Sequence, residues 1–359
     1  MQAFDTLTEN IIDMRLPAEW EKQSGVQLTW PDSTTPWYEI DKVIDCYVRI
    51  ASAIASREKL LVVTTDPAAT KLDIAVRAAR MGVRIDVSSI IFAESPINDT
   101  WARDHGGIAV HGDGGEKYLY DFVFNGWGLK FASNLDNQIT KKIFFAGTFA
   151  SDVMLVDMRP FVLEGGSIES DGKGTLLATT ECLTSINRNE YLTREEIEGE
   201  LSQAFGLERV LWLESGSIEG DDTDSHIDIL ARFASPDTIL YVKCEDPDDP
   251  NFAPLSLMEE QLKGFLTPDG KPYNLIPLPL PPKMYLEGYR LPASYANFLI
   301  LNGAVLMPGA GDEETDAKAA EILSEAFPGR EIVTIDCRPL LSGHGGLHCV
   351  TMQFPEGWL

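Results

Sequence analysis

The 359-residue chain contains no run of 18 apolar residues, no CxxC pair and no low-complexity stretch. Without the first there is no membrane-spanning helix, which needs about 20 apolar residues. Without the second, zinc-knuckle and dithiol chemistry lose their usual signatures. Five cysteines, Cys46, Cys182, Cys244, Cys337 and Cys349, stand at wide, irregular spacings. They read as free thiols in a reducing cytoplasm. Met1 to Leu16 carries acidic residues and only the short apolar pair Ile11-Ile12, so no signal peptide is expected. Positive charge is also scarce: 29 Lys+Arg face 56 Asp+Glu, a net charge of −27. Such a surface repels nucleic-acid phosphates and anionic membranes and favours a cationic ligand. Solubility alone would also account for it.

Apolar residues make up 44% of the chain, enough for a sizeable core. Pro and Gly are spread evenly with no linker, so residues 1–359 read as one domain. A rhythm runs through it. Phe161-Val162-Leu163 reads as a strand, Gly165-Gly166 as a turn and Gly174 to Ala178 as a second strand. A helix capped by Thr193, with Glu195-Glu196 in its first turn, runs to Phe205 and stops at Gly206. Arg209 to Leu213 is a third strand. Asn297 to Leu341 repeats the layout: strands Phe298 to Leu301 and Ala304 to Met307, a helix Asp316 to Phe327, and a strand Glu331 to Ile335. Arg103 to Phe124 and Ser225 to Val242 open in the same way, the latter with a strand His226 to Phe233 and its hairpin mate Thr238 to Val242. Lys42 to Ser88 supplies helix, strand, helix, strand. Recurrence of a strand-strand-helix-strand unit predicts an α/β ring of repeats, a propeller, rather than a stacked solenoid. An ordinary α+β fold is the plainer alternative.

Four polar clusters open successive units: Trp101-Ala-Arg-Asp104, Glu164-Gly-Gly166, His226-Ile-Asp228 and His348-Cys349. The intervals between Asp104, Glu164, His226 and Cys349 are 60, 62 and 123 residues, the last close to two units. In a ring, equivalent strand ends converge on one pocket. Each residue also has a plainer reading. Cys349, in an apparent strand Leu347 to Met352, could be a small buried hydrophobe; Asp104 could pair with Arg103, and Glu164 could serve a turn. On a strand, His226 and Asp228 share one face, and such a pair is costly to bury unless something pairs with it. Gly343, Gly345 and Gly346 would let backbone approach a ligand. The acidic loop Gly220 to Ser225 lacks the spacing and closing Glu of a calcium loop, and no metal is expected.

Several ordered stretches carry a resemblance that covers nearly the whole chain: Asn98-Asp-Thr-Trp-Ala-Arg-Asp104, Phe124-Asn-Gly-Trp-Gly128, Glu164-Gly-Gly-Ser-Ile168, Gly220-Asp-Asp-Thr-Asp-Ser-His-Ile-Asp228 and His348-Cys-Val-Thr-Met-Gln353, with Pro17-Ala-Glu-Trp20 and Trp30-Pro31 before them. The chain resembles the agmatine deiminases of the guanidino-group-modifying superfamily, which also holds bacterial peptidyl-arginine and arginine deiminases. The resemblance implies a five-bladed α/β propeller and hydrolysis of a small cationic guanidino substrate without metal or organic cofactor. It implies Cys349 as nucleophile and His226 as general acid/base. Glu164 would assist proton movement and hold the guanidinium, Asp104 and Asp228 would grip its nitrogens, and Trp101 would take part in substrate binding. Self-association into a homo-oligomer is left open. Ser225 stands where many relatives have Gly, Glu169 where many have His, and Gly343-His-Gly-Gly346 replaces a more uniform glycine run.

Carboxylates match the N–H fork of a guanidinium, and a thiolate is a strong nucleophile at neutral pH. The four cysteines other than Cys349 are expected to be dispensable. Two alternatives stay open: a deiminase of free or peptidyl-arginine, and a non-catalytic polyamine-binding protein. The first would need a cation for the substrate carboxylate. Between Arg103 and Arg159 there is no arginine. Arg103 itself, if on a strand, would point away from Asp104.

Overall fold

A computed structural model describes residues 14–359; the N-terminal reading, which rests mainly on residues 1–13, lies largely outside the described residues. Among these, no helix is long and apolar enough to cross a membrane. The chain forms a mixed α/β fold in which one pairing scheme recurs in five sheets. In each, two strands pair antiparallel and a third joins the second in parallel. The sets are Ile108–Gly112, Lys117–Val123 and Val153–Val162; Ile168–Ser170, Thr175–Thr179 and Arg209–Leu213; Ala231–Ser235, Thr238–Lys243 and Asn274–Pro279; Leu299–Leu301, Ala304–Gly309 and Glu331–Asp336; and Thr351–Pro355, Gln23–Thr29 and Lys59–Thr64. The last set joins the two ends of the chain, with Thr351 opposite Leu28. Met14–Arg15 and Ile91–Glu94 extend the first and last sheets, and a short hairpin pairs Tyr285–Leu286 with Tyr289–Arg290.

A parallel third strand requires a crossover, and helices supply it. Arg194–Phe205 follows its sequence signals closely. Thr193 and Glu196 form a reciprocal capping box, and Gly206 ends the helix at φ +65°. Arg209–Leu213 pairs residue by residue with Thr175–Thr179. Helix Glu313–Ala326 starts earlier than Asp316, because Asp312 caps it by accepting from Thr315 N; Asp316 instead accepts from Ala310 N and the Tyr295 hydroxyl. In helix Ile40–Ala55 the buried Val43, Tyr47, Ile50 and Ile54 keep the spacing of one face.

Four readings need correction. Phe161-Val162 closes the long strand Val153–Val162 of the preceding sheet, and the next unit opens after Gly165-Gly166, at Ile168–Ser170. The partner that decides this, Lys117–Val123, is remote in sequence. His226 to Phe233 is not one strand. Ile227–Ile229 is a 3-10 turn and the strand starts at Ala231, opposite Tyr241, beyond which the hairpin mate has only two residues left. Leu347 to Val350 is likewise a turn, since the ladder with Gln23–Thr29 begins at Thr351. The last strand of the Lys42 to Ser88 section falls beyond it, at Ile91–Glu94.

Candidate active site

The segment entering the first strand of each sheet carries a polar side chain: Asp104 before Ile108–Gly112, Glu164 before Ile168–Ser170, Asp228 before Ala231–Ser235, Asn297 before Leu299–Leu301 and Cys349 before Thr351–Pro355. Asn297 is the member the sequence reading missed. The doubled interval of 123 residues between His226 and Cys349 was its signal. Cys349 Sγ lies 3.3 Å from Asn297 Nδ2 and 3.7 Å from Asp228 Oδ2. Burial raises the Cys349 thiol well above its ordinary value, and the carboxylates of Asp228 and Asp104 raise it further. In the empty site it is therefore a thiol.

Asp228 is fully buried. Its Oδ2 accepts from Asn297 Nδ2 at 3.2 Å and lies 2.8 Å from His348 Nδ1, while Oδ1 has no partner. Burial works against its charge, but His348, His226 and Arg232 together outweigh it and hold the carboxyl below its usual range. Asp104 sits in the short helix Ala102–His105 and accepts from Trp127 Nε1 at 2.9 Å and Gly166 N at 3.1 Å. Burial pushes it up to about 6, against the pull of His226. His226 Nδ1 is 3.7 Å from Asp104 Oδ1. Although burial disfavours the imidazolium, Asp104, Cys182 and Glu164 raise His226 to about 10. A Cβ on Gly166 would lie 2.6 Å from His226 Nδ1 and 2.8 Å from Asp104 Oδ1, so only glycine fits where these groups converge.

Cys349, His226, Asp104, Asp228 and Trp101 all line one cavity of about 230 Å³. His226 and Asp228 do so from a 3-10 turn rather than from a shared strand face. Glu164 does not line it. It is fully buried behind His226, and Arg188 Nε donates to both its oxygens at 2.9 and 3.0 Å. Arg188 in turn bonds Asp224 Oδ2 and Thr223 O, tying Glu164 to the acidic loop. Cys182 joins this group: polar atoms of Glu164, Cys182 and His226 lie within 4.8 Å of one another. The expectation that four cysteines are dispensable narrows accordingly. These three side chains are of metal-ligand type, but a cation there would meet the fixed Arg188 guanidinium.

Trp101 packs at 5.3 Å from Trp37 and 6.5 Å from Trp127, making an aromatic wall. A Cβ on Gly345 would lie 2.2 Å from the Trp101 ring, which explains the glycines ahead of Cys349. Trp127, Phe131, His344, Asp99, Asp221 and Asp222 complete much of the lining, and the sequence reading assigned none of them. Asp99, Trp127, Asp221 and Asp222 stand within the motifs that carry the family resemblance, whereas Arg188 has no local signal at all. In the acidic loop, Asp221 binds Thr223 and Ser225 N, and Asp224 pairs with Arg188 and Lys130, so their side chains hold the loop itself. Ser225 adopts φ +64°, the conformation that favours glycine. Its N, Oγ and O are all hydrogen-bonded, to Asp221, Glu181 and Thr179, and these bonds offset that strain.

On the far side of Asp228 runs a buried charged chain. His348 Nε2 lies 2.8 Å from Glu19, Arg232 bonds Glu19 at 2.8 Å, and Glu169 accepts from Arg232 Nε at 2.6 Å. Glu19 thus links Pro17-Ala-Glu-Trp20 to the site, and Glu169 is the partner of Arg232. Arg103 lines a separate cavity of about 60 Å³ with Glu19 and His348. It does point away from Asp104's cavity, though from a helix and not by strand alternation.

Comparison with known proteins shows the family. Residues 15–355 match the family described as Porphyromonas-type peptidyl-arginine deiminase. An agmatine deiminase of Pseudomonas syringae pv. tomato is 35% identical over 374 residues, covering 95% of each chain. A Porphyromonas gingivalis structure provisionally assigned as an arginine deiminase is 47% identical with a TM-score of 0.88, covering 96% of this chain and 99% of that one. A C. jejuni agmatine deiminase, solved as a cysteine-to-serine variant with substrate bound, is 34% identical with a TM-score of 0.86, covering 96% and 97%. The chain belongs to the Porphyromonas-type peptidyl-arginine deiminase family.

Proposed function

We infer that this protein is an agmatine deiminase, hydrolysing the guanidinium of agmatine to N-carbamoylputrescine and ammonia. The observation that carries the reading is one cavity holding the Cys349 thiol and the Asp104 and Asp228 carboxylates, with no Lys or Arg among its lining residues. Full-length relatives named agmatine deiminase support the substrate. In this reading Cys349 is the nucleophile, and Asp104 and Asp228 hold the guanidinium. Trp101 walls the substrate, and Glu164 acts from behind His226. Because His226 carries a proton in the empty site, it is poised as an acid rather than as a base for the thiol. The arriving cation compensates the two carboxylates that keep Cys349 protonated, and the thiol loses its proton to solvent. Thiolate attack on the guanidinium carbon then gives a tetrahedral adduct. His226 protonates the departing nitrogen, ammonia leaves and a thiouronium remains. Neutral His226 next takes a proton from water as it attacks; the C–S bond then breaks with its electron pair returning to Cys349 Sγ, the adduct's hydroxyl proton passes to the thiolate or to solvent, and the ureido product departs. Ammonia release with agmatine as sole substrate, and product identification by mass, test this; no ammonia at micromolar enzyme would end it.

The same reading takes residues 1–359 as one cytoplasmic catalytic domain whose five sheets are the blades of an α/β propeller. Five sheets with one pairing scheme, the last made from both chain ends, support it.

Asp228→Asn is expected to lower kcat/KM by roughly 30-fold to several thousand-fold, the range for truncating one side of a buried charge pair. Wild-type kinetics in this variant would reduce Asp228 to a structural partner of His348. The pH profile of kcat/KM, which reports the free enzyme, should fall on two sides. It should drop as Asp104 protonates below about 6, and as His226 loses its proton near 10. A flat profile between pH 5 and 7 would contradict the role given to Asp104.

A further inference from the structure

The reaction above makes no use of His348, which is buried behind Asp228 and lines the smaller cavity with Glu19 and Arg103. Its ring stands between two carboxylates. Nδ1 lies 2.8 Å from Asp228 Oδ2, and Nε2 lies 2.8 Å from Glu19 Oε2. We propose that His348 is a resident imidazolium clamped by Glu19, and that this pair positions Asp228 for the guanidinium. The proposal rests on the deiminase reading of Asp228. It adds two positioning residues, neither of which lines the cavity in front of Cys349.

A neutral imidazole has one N–H, so it bonds one carboxylate and turns a lone pair on the other. Two contacts at hydrogen-bonding distance therefore need two protons among the three groups. The other donors place both on the ring. Glu19 already accepts from Ile300 N at 2.7 Å and from Arg232 at 2.8 Å. Asp228 Oδ2, the oxygen against Nδ1, accepts from Asn297 Nδ2 at 3.2 Å. Although burial opposes its charge, Arg232 and His348 hold Glu19 well below the usual carboxylate range. Burial, Arg103 and Arg232 press the ring toward its neutral form, and Glu19 and Asp228 oppose them. Both guanidinium groups face Glu19, Arg232 at 2.8 Å and Arg103 at 3.8 Å. Glu169, behind Arg232, is pushed up to about 7 by burial against the pull of that guanidinium, and above that pH it is a carboxylate. With His348 charged, three cations then meet three carboxylates and the enclosed set is neutral. With a neutral ring it would hold one uncompensated negative charge, which is costly to bury.

The use of the clamp lies in the two oxygens of Asp228. Oδ2 is held by the His348 ring and by Asn297 Nδ2, which also reaches Cys349 Sγ at 3.3 Å, while Oδ1 has no partner. One oxygen is anchored and the other remains for the guanidinium. A charged donor holds a carboxylate more strongly than a neutral one, and it keeps Asp228 ionised while the site is empty. The backbone N of His348 donates to Asn297 Oδ1 at 2.9 Å, so the same residue also orients the amide beside Cys349. Glu19 acts one step further back: it keeps the ring charged and fixes its rotation.

Two measurements test this. One is the ring nitrogen NMR shifts of His348 in protein labelled with ¹⁵N-histidine, assigned with His348→Asn. The other is the pH profile of kcat/KM for agmatine in wild type and Glu19→Gln. Both ring nitrogens of wild type are expected to carry protons from about pH 7.5 to 9, and in Glu19→Gln the ring should lose one at least about two pH units lower than in wild type. Because the protonated ring is the competent form, lowering its pKa moves the loss of activity to lower pH. The basic side of the Glu19→Gln profile should therefore fall about one pH unit or more before the wild-type fall near 10. A single ring N–H in wild type at about pH 7.5 overturns the clamp. A Glu19→Gln profile lowered evenly at every pH overturns the positioning role, since a purely structural loss has that form. If Glu19→Gln does not fold, the wild-type shifts decide alone. If wild type releases no ammonia from agmatine, the deiminase reading has failed instead, and the ring shifts still decide whether His348 is charged.

Discussion

Cys349→Ser is expected to abolish ammonia release, with kcat falling by about five to six orders of magnitude, the scale seen when a nucleophile acting within a catalytic unit is removed. A hydroxyl can still meet Asn297 Nδ2, so the fold should persist and the melting temperature should move by only a few degrees. The reason for so large a loss is chemical. An alcohol of the same shape does not ionise when a cation arrives, whereas the thiol does. In the empty site that thiol is suppressed by burial and by Asp228 and Asp104. The same logic predicts that a cationic haloacetamidine alkylates Cys349 far faster than neutral iodoacetamide at pH 7. Retention of more than 1% of wild-type turnover by Cys349→Ser would remove Cys349 from the mechanism. Equal alkylation rates would remove the substrate-assisted ionisation but leave the nucleophile in place.

Agmatine should be turned over about 10⁴-fold better than arginine in kcat/KM, the scale on which a built polar site rejects a mismatched group. Arginine adds a carboxylate next to its amine, and nothing in the cavity answers it. The nearby arginines and lysine are all turned or bonded elsewhere. Arg103 turns to the Glu19 cavity, Arg188 holds Glu164 and Asp224, and Lys130 holds Asp224 and the Asp222 carbonyl. The lining offers Asp99, Asp221 and Asp222 instead, so the added carboxylate would be both desolvated and repelled. Peptides ending in arginine should fare no better. Agmatine, free arginine and such a peptide compared side by side decide this. Arginine or the peptide within tenfold of agmatine would overturn the substrate while leaving the guanidinium chemistry intact.

Local signals served well where the cause of structure is local. Thr193, Glu196 and Gly206 mark a helix because capping satisfies backbone groups within four residues of themselves. Arg209–Leu213 and Thr238–Lys243 are recognisable from their apolar, aromatic and β-branched content. Strand limits next to the site were not, because a strand ends where its partner ends. Ile227–Ile229 and Leu347 to Val350 read as strand by composition, yet their ladders stop at Ala231 and Thr351. Those interruptions are what turn His226, Asp228 and Cys349 into the cavity.

The sequence by itself determined which residue types stand at which intervals, and hence a recurring unit, a cysteine near the C-terminus and a preference for cations. The periodic spacing of Asp104, Glu164, His226 and Cys349 even left a gap for Asn297. Only the tertiary structure decided what each carboxylate does. Glu164 and Asp228 look alike in sequence, but both oxygens of one are taken up by Arg188, while the other keeps one oxygen without a partner. Asp224 shows the same dependence: Arg188 and Lys130, 36 and 94 residues away, reach its carboxylate, whereas the donors to Asp221 come from its own loop. Pairing of a buried charge depends on a partner brought by folding, and no spacing in a linear sequence records that partner.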